Sequence, residues 1–140
     1  MNTEKVRVVL DTNIIISAFI SPLGAPAEIF ELFLEGNIIN YTSEEIIKEV
    51  VIVIHRPEFI GCIEHHDKQF MLDNFRTLSL IIKPNSKDKV IKEDPKNDKF
   101  INCALDANAT IISGDKHLLS LGKYEGITIL SPREFLERLK

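Results

Sequence analysis

Four acidic residues stand where apolar segments end or where a helix margin turns toward them: Asp11, Glu49, Asp98 and Asp115. Asp11 closes the run Val6-Arg7-Val8-Val9-Leu10 and opens Asp11-Thr12-Asn13. Asp115 closes Thr110-Ile111-Ile112-Ser113-Gly114. In a parallel sheet such positions lie at the carboxyl ends of strands, where open α/β folds place their sites. Carboxylates gathered there repel one another unless a cation joins them. Oxygen-only ligands of this kind suit hard divalent ions and leave room for phosphate.

Each acid also has a plainer use. Asp11, Thr12 or Asn13 could cap a helix starting near Ile14, with Asn13 able to donate to a phosphate or a bound water. Asp115 could cap the helix after it, and Gly114 before it permits close backbone approach or an unusual φ and ψ. Ser113 could hydrogen-bond a carboxylate. Glu49 falls on one margin of the apolar stripe Ile46, Ile47, Val50, Val51, Ile54, and Glu44 on the other, so helix geometry leaves both in play. Asp94 and Asp98 are one helical turn apart and could face one centre. Asp94 has the alternative of an N-cap before Pro95, so Asp98 is the favoured ligand and Asp94 a cap or a more distant supporting acid.

The elements that must position these residues alternate between strand-like and helix-like segments. That pattern predicts an α/β architecture with a mostly parallel sheet. Strands are expected at 6–10, 38–41, 80–83, 109–113 and 127–130. Helices are expected at 14–19, 26–35, 44–55, 64–78, 95–108, 116–121 and from Pro132. The β-branched tail Val50-Val51-Ile52-Val53-Ile54 resembles a strand, but its spacing favours a helix. Residues 85–93 read as a charged loop. Ser131 with Glu134 three residues on reads as a capping box.

The 140 residues fit one domain, 1–140, with a real core. No apolar run approaches the roughly 18 residues of a membrane helix, and the opening Met1-Asn2-Thr3-Glu4-Lys5 lacks a secretory pattern. Cys62 and Cys103 form no CxxC pair and read as buried or half-buried thiols of a reducing, cytoplasmic compartment. The net charge of −4 excludes a general nucleic-acid coating protein, and clustered acids account for most of it. The four histidines lack zinc-site spacing. There is no phosphate-binding glycine loop and no nucleophile elbow. Lys5, Arg7, Lys116, His117, Lys123 and Arg133 are cations that could flank a site and meet phosphates.

Taken in order, Asp11-Thr12-Asn13, Ser43-Glu44-Glu45-Ile46-Ile47-Lys48-Glu49, Asp94-Pro95 and Ile111-Ile112-Ser113-Gly114-Asp115 resemble the PIN-domain family, and most closely its small VapC-like prokaryotic members. The closing Ile129-Leu130-Ser131-Pro132-Arg133-Glu134-Phe135-Leu136 fits as well. The resemblance implies a three-layer α/β/α sandwich with a central, mostly parallel sheet of four to five strands. It implies a Mg²⁺- or Mn²⁺-dependent endoribonuclease with metal ligands and catalytic residues Asp11, Glu49, Asp98 and Asp115. Thr12, Asn13, Asp94 and Ser113 would support them. Relatives carry a denser acidic run where this chain has Lys96-Asn97-Asp98, which leaves Asp94 against Asp98 open. An RNA substrate, an antitoxin protein and a homodimer are partners the family admits; a membrane is not. A catalytically inactive RNA-binding or scaffold module is the alternative. A receiver-like signalling domain fits less well, because no acidic pair follows the first strand.

Overall fold

A computed structural model describes residues 5–85 and 95–140. Its centre is the strand β1, Val6–Leu10, an apolar segment whose last three residues are fully buried. Burial on both faces is what a continuous Val/Leu run in a parallel sheet requires. β1 pairs in parallel with β2 (Ile38–Thr42) on one side and with β4 (Thr110–Ile112) on the other. β3 (Leu80–Ile81) extends the β2 edge in parallel, and β6 (Ile127–Leu130) extends the β4 edge in parallel. β5 (Lys123–Tyr124) turns back antiparallel on β6. The order is therefore β3-β2-β1-β4-β6-β5. The chain winds from β1 outward in one direction and then returns to β4 to wind in the other. Between β1 and β4 lies the switch point at which open α/β sheets form a crevice.

Six strands exceed the four to five expected. The extra one is β5, two residues that pair only within the hairpin it makes with β6, too short for any periodic signal. The central pairings fix the register: Leu10 lies beside Ile112, and the Asp11 amide donates to the Ile112 carbonyl at 3.2 Å. The two segments that end in Asp11 and Asp115 thus end side by side.

Seven helices flank this sheet among the described residues: α1 (Thr12–Ile20), α2 (Ala25–Leu34), α3 (Glu44–Ile54), α4 (His65–Leu78), α5 (Asp98–Ala107), α6 (Lys116–Leu121) and α7 (Pro132–Leu139). The layering is the expected α/β/α sandwich. α5 packs on β1, β2 and β4, α2 on β2, and α7 on β6 and α2. The β-branched tail of α3 is helical: Val50, Val53 and Ile54 are buried while Val51 and Ile52 are exposed, which is a helical stripe and not a strand's alternation. Ser43 caps α3 by accepting from the Ile46 amide, and Ser131 and Glu134 form the reciprocal capping box of α7.

The largest departure is ahead of α5. Pro95–Asn97 forms a 3₁₀ turn and the α-helix starts only at Asp98, with Asn97 in the cap position. The expected helix from residue 95 would have put positions 94 and 98 on one face; the described α-helix begins only at 98, after a tighter turn. Asp94 itself, and residues 86–93 of the expected charged loop, lie outside the described residues. α5 ends at Asn108, which adopts the left-handed region (φ 52°) that Asn tolerates, and so turns directly into β4. Cys103 is buried, and that burial pushes its thiol up to about 12. Cys62 is exposed, against expectation, because it sits in the short loop before α4. No single helix among the described residues is long and apolar enough to cross a membrane.

Candidate active site

Asp11 follows β1 and is only 3 % exposed. Its carboxylate is held from two sides. Oδ1 accepts from the Ile14 amide at 3.0 Å, so Asp11 is the N-cap of α1, and Oδ2 accepts from the Ser113 hydroxyl. Burial raises its pKa from 3.8 to about 6. The Ser113 and Ile14 hydrogen bonds pull it down, and the charges of Asp115 and Glu49 push it up again. An acid in this position holds its proton more tightly than usual, and a cation beside it would reverse that.

Ser113, wholly buried after β4, does two jobs. Its hydroxyl donates to Asp11 and its oxygen accepts from the Asp115 amide at 2.9 Å. Asp115 then caps α6: its Oδ1 accepts from the amides of His117 at 2.8 Å and Leu118 at 3.2 Å. Among the described residues, Oδ2 takes no hydrogen bond. Gly114 has no close approach and no left-handed backbone to account for it; an added Cβ would meet nothing within 4 Å.

Glu49 is half-buried on α3 and reaches the same place. Its Oε2 accepts from the Thr12 hydroxyl, and its Oε1 lies 2.8 Å from the Lys99 ammonium. Glu44, on the other margin of the helix, is exposed and pairs with Arg76 at 3.4 Å. Packing thus brings Glu49, and not Glu44, to the end of β1.

A pocket of about 210 Å³ is lined by Asp11, Thr12, Asn13, Glu49, Val53, Arg56, Lys96, Asn97, Phe100 and Asp115. Three of the four expected acids therefore meet in it. The fourth, Asp98, does not line it; buried Asn97 does. The 3₁₀ turn is the reason, because it brings residue 97 to the wall and starts α5 one residue later. Among the described residues, the one trio of possible ligands with atoms all within 4.8 Å of one another is Glu64, His66 and Asp67, at the exposed start of α4. The pocket's carboxylates are spread wider than that, which suits an ion that keeps several of its waters.

Two of the cations expected to flank the site lie elsewhere. Lys5 and Arg7 lie at the opposite end of the strands, where they line a separate groove with Tyr41, and Arg7 donates to the Ala107 carbonyl at 3.1 Å. Among the described residues, the cations that reach the site are Arg56 and Lys96 on its walls and Lys99 against Glu49. Nothing in the pattern of scattered lysines distinguishes Lys99 from its neighbours. Its place on the first turn of α5, one residue before buried Phe100, is the signal that could have done so.

One buried and two half-buried carboxylates, gathered at the switch point of a mostly parallel α/β sheet and backed by a buried serine, define a small α/β protein with an acidic pocket. The family model for the PIN domain matches residues 7–117, and the chain belongs to that family. A relative named Uncharacterized protein MJ1680, from Methanocaldococcus jannaschii, is 38 % identical over 149 residues, covering 100 % of this chain and 96 % of its own length. Two solved structures share the fold. PAE2754 from Pyrobaculum aerophilum superposes with a TM-score of 0.62 at 13 % identity, covering 99 % of this chain and 98 % of that one. VapBC2 from Rickettsia felis, solved bound to a DNA fragment from its promoter, gives 0.58 at 16 % identity, covering 90 % and 98 %.

Proposed function

We propose that the chain is a single-domain, divalent-metal-dependent endoribonuclease. The observation that carries this reading is the meeting of Asp11, Glu49 and Asp115 in one pocket at the switch point, with Asp11 buried and its pKa raised to about 6. The donor set is all oxygen, as Mg²⁺ or Mn²⁺ prefers, and Asp11 with Asp115 supplies two carboxylates for it. Such an ion would supply positive charge to a phosphodiester and acidity to an attacking water.

The chain's own residues do the rest. Ser113 and the Ile14 amide fix the Asp11 carboxylate, and the start of α6 fixes Asp115. Thr12 orients Glu49. Asn13, Arg56 and Lys96 on the pocket walls are placed to meet the backbone of a flexible single strand. No histidine lines the pocket, so no general-base histidine is invoked.

Incubation of pure protein with labelled single-stranded RNA is the test. Cleavage with Mn²⁺ or Mg²⁺ and none in EDTA is expected. RNA that stays intact with every ion would sink the assignment. RNA retained but not cut would favour a second reading, an inactive RNA-binding module, for which Asn97 on the pocket wall is the supporting observation.

The role of toxin in a toxin–antitoxin pair extends the proposal. It is supported by the resemblance to VapC-like proteins and by exposed apolar side chains on and between α3 and α4, among them Ile52, Ile60 and Phe70, which suit a protein partner.

A pH dependence follows from Asp11. An ion competes with its proton, so apparent Mn²⁺ affinity should hold above about pH 7 and fall by about tenfold per unit below pH 6. Calorimetric titration at several pH values checks this. Affinity unchanged at pH 5 would remove Asp11 from the ligand set.

A further inference from the structure

Lys99 is the charge in the pocket region that the proposed reaction does not use. Its side chain is only 8 % exposed, although lysine is a residue that rarely leaves water. Its ammonium lies 2.8 Å from Glu49 Oε1, donates to the Lys96 carbonyl and sits 5.0 Å from the centre of the Phe100 ring. A buried cation is tolerated only when its charge and its N–H groups are met, and here a carboxylate, a carbonyl and an aromatic face meet them. Glu49 is engaged through its other oxygen by Thr12.

Among the described residues, the partners of Asp11 and Asp115 are neutral donors, a hydroxyl and backbone amides. Each carboxylate oxygen has a second lone pair, so neutral donors leave room for an ion. Lys99 differs: a full positive charge 2.8 Å from Glu49 repels any further cation brought to that carboxylate. Of the three carboxylates that line the pocket, Glu49 is the one in direct contact with a lysine, which leaves Asp11 and Asp115 to meet an ion. Asn97, a neutral amide on the wall, adds no further negative charge.

We propose that Lys99 is a built-in cation of this pocket, which holds Glu49 as its counter-ion and stands in for one divalent ion, so that the wild-type site takes a single such ion at Asp11 and Asp115. The inference rests on the metal-dependent reading of the same pocket and makes Lys99 a positioning residue. Mn²⁺ titrated into metal-free protein, followed by calorimetry and by the electron paramagnetic resonance of unbound Mn²⁺, tests it.

Wild type should bind one Mn²⁺. Lys99→Met frees Glu49 and should bind a second, or bind the first at least tenfold more tightly. Lys99→Arg keeps the charge and should match wild type, and Glu49→Gln should leave the count at one. Asp11→Asn should lose the ion, an arm that probes the metal reading separately from Lys99. Two Mn²⁺ in wild type, or identical titrations for wild type and Lys99→Met, would overturn the role given to Lys99 whatever the Asp11 variant does. Should Lys99→Met not fold, loss of the Mn²⁺ from Glu49→Gln would overturn it alone.

Discussion

Asp11→Asn is expected to lower RNA cleavage by about a hundredfold to a thousandfold while making the metal-free protein more stable at neutral pH. The first effect follows from position. Asp11 is the most buried of the pocket's acids, and removing a group that acts only through charge on the reacting centre costs about 10² to 10³ in rate. The second follows from linkage. The folded-state pKa of Asp11 lies above its unfolded value, so the stability it contributes is fully present below about pH 4 and is lost as pH rises through about 6. At pH 7.5 the wild type carries that loss, at most about 3 kcal/mol for a shift of roughly two units. Asn lacks the charge, but it leaves the Ser113 hydroxyl without its acceptor. A net gain of about 1–2 kcal/mol is expected at pH 7.5, shrinking to nothing near pH 4. Denaturant unfolding in EDTA at both pH values reads the stability, and labelled RNA with Mn²⁺ reads the activity. Cleavage by Asp11→Asn at the wild-type rate would remove Asp11 from the chemistry. A variant less stable than wild type at pH 7.5 would mean that its carboxylate is better satisfied than its burial indicates.

Asn40→Ala is expected to cost about 2–4 kcal/mol, a drop in Tm on the order of 6–12 °C for a chain of this size. Asn40 is wholly buried in β2. Its Oδ1 accepts from the Leu10 amide at 2.9 Å, and its amide nitrogen donates to Ser79 Oγ at 3.0 Å. It therefore ties the end of β1, the residue before Asp11, to the segment entering β3. Alanine leaves a buried amide and a buried hydroxyl unmet and adds a small cavity, and each of these carries a cost. Because Leu10 sets where Asp11 stands, Mn²⁺ affinity should weaken together with Tm. A Tm within 2 °C of wild type, judged against the roughly 2–4 °C expected per kcal/mol, would show that β1 is held without this tie.

Asp11 and Asp115 were legible because each closes an apolar strand segment, and two such ends in one parallel sheet meet at its carboxyl edge. Capping and pocket lining had stood as competing readings of both residues. The structure joins them: one face of the carboxylate caps the helix and the residue still lines or borders the pocket. Glu49 was legible only as one of two margins of α3, and the choice needed α4, whose Arg76 takes Glu44. Asn97 was not legible, since Asp94-Pro95 reads as an ordinary helix start, and a 3₁₀ turn in its place rotates the following residues. Lys99 and Asn40 were hidden for a shared reason. A lysine among charged residues looks solvated, and a polar residue within a strand carries no mark of a partner 30 or 39 positions away. Lys5 and Arg7 were misplaced because proximity in sequence to Asp11 says nothing about which end of β1 a side chain occupies.

Anomalous scattering from crystals grown with Mn²⁺ would locate the ion directly. A peak within bonding distance of Asp11 and Asp115 is expected, and it should vanish in Asp11→Asn. A peak only at the exposed trio Glu64, His66 and Asp67, with nothing at the end of β1, would contradict the placement of the catalytic centre.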